Sequence, residues 1–240
     1  NPLKEENGYY TMDLEDLKSK ITPKTKLLTL CSPHNPVGRV WSPKELLALA
    51  HICLEHNIKI ISDEIHADLV FTKFTPLASL SQEISNITLT LNSAGKTFNI
   101  AGLNCAYAIC ENEAMKRLFD KVVQRREIQS INVFGTIATQ AAYENGEIWL
   151  EQLLIYLKKN IDVTQKLLKP TKINFHQPEA TYLLWLDFSC YEYTHIEIKE
   201  RLLKYVKIAL NDGTSFGKNG SKHFRLNIAL PLNNLNKYLK

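Results

Sequence analysis

The chain has 240 residues, 45% of them apolar and 22% charged, with a formal net charge of +4. That is an ordinary globular composition, enough for one large domain or two modest ones with a real core. It excludes a nucleic-acid arm, since the basic residues are scattered, and no apolar run is long enough to span a bilayer.

The opening Asn1-Pro2-Leu3-Lys4-Glu5-Glu6 is polar and acidic, unlike a secretory leader. Of the five cysteines, Cys31, Cys53, Cys105 and Cys110 sit in apolar patterns and Cys190 does not. The expectation is reduced, buried thiols in a cytoplasmic protein.

In chain order, Lys26-Leu27-Leu28-Thr29-Leu30-Cys31 predicts a buried strand, and Ser32-Pro33-His34-Asn35-Pro36-Val37-Gly38-Arg39 a turn. Ser42-Pro43-Lys44-Glu45 is a capping box with proline at the first helical position. Leu46, Leu47, Ala50, Cys53 and Leu54 mark one face of the helix it starts. Ile58-Lys59-Ile60-Ile61 is the next strand, ending at Asp63-Glu64. Strand, helix, strand implies parallel strands and a right-handed crossover.

Ile87-Thr88-Leu89-Thr90-Leu91 alternates apolar residues with threonine and predicts a third strand. It stops on Ser93-Ala94-Gly95-Lys96-Thr97-Phe98-Asn99. A fourth strand is expected over 105–110, then helices over 113–126, 132–144 and 148–168. Beyond Pro170, short strands over 173–176, 182–187, 206–210 and 224–228 alternate with a helix near 194–205, capped by Thr194 and Glu197. A short helix over 231–240 closes the sequence. The expected fold class is α/β: a mostly parallel sheet with helices over 1–155, and a smaller C-terminal α/β domain over 156–240, joined by the long helix. The first strand has no partner before it, so the molecule is expected to be incomplete.

Asn35, Asp63 and Lys96 each follow a predicted strand at its carboxyl end, where open α/β sheets hold ligands. If those strands are neighbours, all three line one crevice. An amide, a carboxylate and a lysine together suit an aldehyde cofactor. Lysine forms a Schiff base, a carboxylate keeps a pyridine nitrogen protonated, and an amide donates to a phenolic oxygen. Each alone has a plainer reading: Asn35 shapes a turn, Asp63 caps a loop, and Lys96 is a solvated loop residue.

Other candidates carry less. The stretch Gly213-Thr214-Ser215-Phe216-Gly217-Lys218-Asn219 has one residue too few between its glycines for a P-loop, and Asn219 replaces Ser or Thr. It reads as a turn before the strand with Arg225. His51, Cys53 and His56 do not share a face at i and i+4, so no metal site is expected. Trp41, Trp149 and Trp185 read as packing residues.

Four strings, in this order and spacing, resemble the class I/II aminotransferase family, pyridoxal-phosphate enzymes of fold type I. They are residues 32–39, Ser62-Asp63-Glu64-Ile65-His66, Ser93 to Gly102, and Phe224-Arg225-Leu226-Asn227-Ile228-Ala229. Within the family, Asp63-Glu64-Ile65-His66 is most similar to the cystathionine β-lyase, or cysteine-S-conjugate β-lyase, branch, because many aminotransferases carry tyrosine at the position of His66. The resemblance covers nearly the whole chain, but only the later part of the family's sequence. The earlier part would supply a phosphate-binding turn, an aromatic residue stacked on the pyridine ring, and a tyrosine reaching into the partner subunit's site.

The resemblance implies that Lys96 is the Schiff-base residue and that Asp63 pairs with the pyridinium nitrogen. Asn35 would meet the phenolic oxygen, assisted by His66, and Ser93 would bind the phosphate. Arg225 would clamp the substrate α-carboxylate with its two-pronged guanidinium. A cis Asn35-Pro36 peptide is also implied. Asn104 stands where many aminotransferases place a phosphate-binding arginine, so the phosphate grip departs from the family pattern there. The implied function is a pyridoxal 5'-phosphate-dependent C–S β-lyase, releasing thiol, pyruvate and ammonia from cystathionine or cysteine S-conjugates. The implied assembly is a cytoplasmic homodimer acting on a small amino acid, with no nucleic-acid or membrane partner. The alternatives are an aminotransferase with the same lysine and clamp, and a catalytically incompetent fragment or scaffold.

Overall fold

Asn7-Gly8 starts the described fold, in a computed structural model covering residues 1–126 and 132–239. Both residues have positive φ, 53° and 82°, as a two-residue hairpin turn requires. They pair β1 (Leu3–Glu6) with β2 (Tyr9–Met12) antiparallel. The sequence reading passed over this hairpin although Asn-Gly is its usual signal. Helix α1 (Leu14–Lys20) follows, its Asp13 cap accepting from Asp16 N.

The predicted strand–helix–strand unit forms as β3 (Leu27–Cys31), α2 (Pro43–Glu55) and β4 (Lys59–Asp63). Ser42 and Glu45 make the reciprocal capping bonds. Leu46, Leu49, Ala50 and Cys53 of α2 pack on Leu30 and Ile60 in one buried cluster. Each fully buried aliphatic chain of this kind contributes about 2 kcal/mol. Short α3 (Gln82–Ser85) leads into β5 (Thr88–Asn92), then α4 (Ala94–Thr97) and β6 (Tyr107–Ile109). The sheet order is β3-β4-β5-β6, with β3, β4 and β5 parallel and β6 antiparallel. Cys31 pairs with Asp63 and Asp63 with Leu91, so the three parallel strands end level with one another.

The three long helices appear as α5 (Glu113–Arg125), α6 (Val133–Asn145) and α7 (Glu147–Leu168). The second sheet is antiparallel, with β7 (Leu183–Asp187), α8 (His195–Arg201), β8 (Asn211–Asp212), β9 (His223–Asn227) and α9 (Leu232–Tyr238) in chain order. Its strand order is β7-β9-β8. Ile161 and Leu168 of α7 join Leu184, Leu186, Phe224 and Ile228 in a second buried cluster. Lys240, the end of the predicted closing helix, lies outside the described residues.

Two predicted strands do not form. In 173–176 only Asn174 bridges Asp187, because Pro178 and Glu179 turn toward the first sheet. Residues 206–210 alternate like a strand, but Leu202–Val206 is a π-turn that continues α8. Lys207 ends it at φ 61°, and Ile208 N closes on Leu202 O. The cysteine expectation also needs correcting. All five are free, but only Cys53 is buried, while Cys31, Cys105 and Cys110 are half-buried and Cys190 is exposed.

Residues 178–181 stitch the second sheet to the first. Glu179 N and Ala180 N both donate to Gly38 O, at 2.8 and 3.0 Å, and Thr181 N donates to Leu69 O at 2.7 Å. Gly38 has φ +72°, and a Cβ there would lie 2.6 Å from Pro178 Cβ. Only glycine allows both that turn and that approach. Arg39, 2% exposed, completes the seam by pairing with Glu179 at 2.9 Å and Glu45 at 3.1 Å.

Candidate active site

Because β3, β4 and β5 are adjacent and end level, the chain leaves all three at one edge of the sheet, where open α/β sheets hold ligands. The turn after β3 carries Asn35, and its Ser32–Pro33 and Asn35–Pro36 peptides are cis. Strand β4 ends on Asp63 itself. Its Oδ1 accepts from Ile65 N at 3.2 Å, an Asx turn that leaves Oδ2 without a partner among the described residues. After β5, Ser93 caps α4 and so delivers Lys96. Lys96 is half-buried, and its Nζ makes no hydrogen bond or ion pair among the described residues. Thr97 Oγ1 donates to Asp68 Oδ2 at 2.9 Å and pins the turn from the other side.

The Ser93 hydroxyl is fully engaged. It accepts from Gly95 N at 2.9 Å and donates to Cys105 O at 2.6 Å. A phosphate contact would require the proton to leave Cys105. Asn104 is exposed at φ 49°, with Nδ2 donating to Gly102 O at 3.3 Å.

Arg225 reaches this edge from the second sheet. Its Nη1 donates to Asn35 Oδ1 at 2.8 Å, across 190 residues of sequence. Nη2 donates to Asn211 Oδ1 at 3.0 Å, and the guanidinium carbon lies 4.9 Å from the Phe216 ring centroid. Nε is buried without a partner among the described residues. Burial lowers the Arg225 pKa, and no carboxylate pairs with it among the described residues. A partly desolvated guanidinium with open donors and no counter-charge is an anion site.

His66 is 3% exposed, and its Nδ1 has no partner among the described residues. Burial pushes its pKa down to about 4, and the Lys96 and Arg225 cations push the same way. The ring is therefore neutral near pH 7. Its neighbour is Tyr182, edge-on at 6.1 Å, whose hydroxyl pKa burial raises. Thr181, just before it, has φ 72° and is fully buried. A β-branched residue in the left-handed region is a costly conformation of the kind that clusters at functional sites.

The sequence reading missed Tyr182, Asn211 and Phe216. No spacing rule connects them to Lys96, because they arrive from the second sheet. Only the strained Thr181 marks the spot, and φ is not legible in sequence.

The set fits an aldehyde-bearing phosphorylated pyridine. It offers a free amine, a free carboxylate oxygen and an unpartnered buried imidazole nitrogen. Asn35 adds an amide whose oxygen is taken, so that its Nδ2 remains to donate.

Comparison with known proteins points the same way. Residues 2–240 match the family model described as aminotransferase class I and II. The chain is 40% identical to cystathionine beta-lyase PatB of Bacillus subtilis, over all of this chain and 63% of that protein. Among solved structures, cystalysin from Treponema denticola, which contains a pyridoxal 5'-phosphate cofactor, superposes with a TM-score of 0.94 at 30% identity, covering 99% of this chain and 61% of that one. The pyridoxal-phosphate-bound C–S lyase from Staphylococcus hominis, complexed with L-cycloserine, gives 0.89 at 34% identity, covering 99% and 59%. The chain thus spans about three-fifths of the length of these relatives.

Proposed function

The chain belongs to the class I and II aminotransferase family, and on that premise we propose that the protein is a pyridoxal-phosphate-dependent C–S β-lyase. Its substrate would be cystathionine or a cysteine S-conjugate, and its products a thiol, pyruvate and ammonia. The observation that carries the reading is the meeting of Lys96, Asp63 and Asn35 at three level strand ends, with an uncompensated Arg225 bonded to Asn35. The 40% identity to a cystathionine beta-lyase supports the choice of lyase within the family.

Pyridoxal phosphate supplies an aldehyde that captures amines and a protonated ring that withdraws electrons from the adjoining carbon. In this chain Lys96 Nζ is the amine that would hold it. When not engaged with that aldehyde, the same Nζ would serve as the base for the substrate Cα proton. Asp63 Oδ2 would hold the ring nitrogen's proton in place. Asn35 Nδ2 would donate to the phenolic oxygen while its Oδ1 holds Arg225, so one amide would couple the cofactor and carboxylate ends of the site. His66, neutral near pH 7, would assist there without adding charge. Arg225 would hold the substrate carboxylate and so fix how the Cα–H bond is presented to Lys96 Nζ. Ser93 is the residue assigned to the phosphate, on condition that its hydroxyl turns away from Cys105.

No described helix is long and apolar enough to cross a membrane. Exposed Leu118 and Val122 on α5, with Phe134 and Ile137 on α6, support a homodimer.

The test uses the full-length protein, incubated with cystathionine and assayed for pyruvate, and separately for amino transfer to a keto acid. Pyruvate release is expected. Transfer without pyruvate would refute the lyase reading. Lys96→Ala should abolish the visible absorbance band of the holoprotein, and persistence of that band would sink the Lys96 assignment.

A further inference from the structure

Among the described residues, Arg225 is held by two neutral amides and by no carboxylate. Asn35 Oδ1 takes Nη1 at 2.8 Å and Asn211 Oδ1 takes Nη2 at 3.0 Å. Asn211 and Arg225 are direct partners in the β8–β9 register, so their side chains share one face of the sheet. The next residue on β8 is an aspartate, Asp212, which the strand's two-residue period turns to the opposite face. There it is consumed by Lys199 Nζ at 2.8 Å and His195 Nε2 at 2.8 Å. A carboxylate thus lies one position away from the guanidinium and is kept off it.

We infer that Asn211 is a positioning residue for carboxylate recognition: a neutral acceptor that fixes the direction of Arg225 without cancelling its charge. The inference rests on Arg225 being the substrate's carboxylate clamp. The physical reason is a competition. The bond to Asn211 carries charge only on the guanidinium, whereas an aspartate at 211 would add an opposite charge and turn it into an ion pair. An incoming carboxylate would then have to displace an ion pair rather than add to a free cation. An amide oxygen gives the same geometry while leaving that charge for the ligand. Asn211 is itself exposed, so changing it tests charge and aim with little cost to the core.

The experiment compares Asn211→Asp with Asn211→Ala in the full-length, cofactor-loaded protein. The readout is the half-saturation concentration in a visible absorbance titration, first with L-alanine and then with ethylamine, which lacks the carboxylate. Asn211→Asp should raise the L-alanine value about tenfold or more, the size of losing one charge-assisted contact. Asn211→Ala should raise it by only about two- to fivefold, since one exposed bond that aims the guanidinium is lost while its charge stays uncompensated. Ethylamine should respond alike in all three proteins. Equal effects of the two substitutions on L-alanine, or an ethylamine shift as large as the L-alanine shift, would overturn the inference. Arg225→Ala separates the two readings. If it leaves the preference for L-alanine over ethylamine unchanged, the clamp assignment itself fails. If it removes that preference while Asn211→Asp does not, only the role of Asn211 fails.

Discussion

A single methyl group at the α6–α7 junction should disturb the lysine turn. Gly146 has φ −90° and ψ 0°, which any L residue adopts, so alanine adds no backbone strain there. The cost is steric. A Cβ would lie 2.3 Å from Phe98 Cε1 and 2.3 Å from Ala142 O. Phe98 follows Lys96 by two residues, and its ring is wedged against Tyr143 at 5.8 Å and Trp149 at 5.7 Å. Restoring ordinary carbon–carbon contact of about 3.5 Å means moving the ring by roughly 1 Å. Overpacking of that kind costs about 1–3 kcal/mol. A shift of about 1 Å in a reacting group costs up to roughly a hundredfold in rate. Gly146→Ala in the full-length protein should therefore lower turnover by about ten- to a hundredfold and weaken cofactor binding, with a melting midpoint lower by a few degrees. Adding Phe98→Leu should restore part of the loss, because it removes the ring clash but leaves the one with Ala142 O. Wild-type turnover and cofactor affinity in Gly146→Ala would refute the steric account, as would the absence of any rescue.

Three further outcomes follow from the buried polar groups. His34 and His66 both titrate near 4 in the folded chain because burial disfavours their cations, whereas an unfolded histidine titrates near 6.5. The unfolded chain therefore binds more protons in between, and each ring removes up to about 3 kcal/mol of stability as pH falls from 6.5 to 4. Urea midpoints of wild type and His66→Gln at pH 7 and pH 4.5 check this: the acid loss should be smaller in the variant, and equal losses would count against it. Arg39→Leu should cost about 3–5 kcal/mol in chemical denaturation, since it leaves Glu45 and Glu179 without their shared cation. Glu179→Gln should cost less, because Arg39 keeps Glu45. Ser93→Ala removes the cap on Gly95 N and the bond to Cys105 O, and should lower stability by about 1–2 kcal/mol with or without cofactor. Weaker cofactor binding with unchanged stability of the cofactor-free form would mean that the hydroxyl serves the phosphate rather than the turn.

The sequence alone determined everything that depends on near neighbours along the chain. Ser42-Pro43-Lys44-Glu45 sets a helix start by bonds within four residues, and the box forms. Apolar and β-branched runs with a helix between them specify the parallel order of β3 and β4, because a short helical crossover permits little else. With those strands in place, Asn35, Asp63 and Lys96 were legible as three strand-end residues. Asn7-Gly8 was equally local, and its hairpin was overlooked. Failures came where local pattern and tertiary bonding disagree. Residues 206–210 alternate like a strand, yet Ile208 N is claimed by Leu202 O. Residues 173–176 lose their ladder as the chain turns toward Gly38.

What only the tertiary structure decided is how the second sheet meets the first. The seam at Gly38, Pro178 and Arg39 brings Arg225 within 2.8 Å of Asn35, and no periodicity encodes a contact between residues 190 positions apart. The same seam brings Tyr182 to His66, and the β8–β9 register brings Asn211 to Arg225 while turning Asp212 away. Residue types told which chemistry was available. The charge balance around Arg225, a cation left uncompensated by two amides, depends on which side chains face one another, and that is settled only when the two sheets are docked.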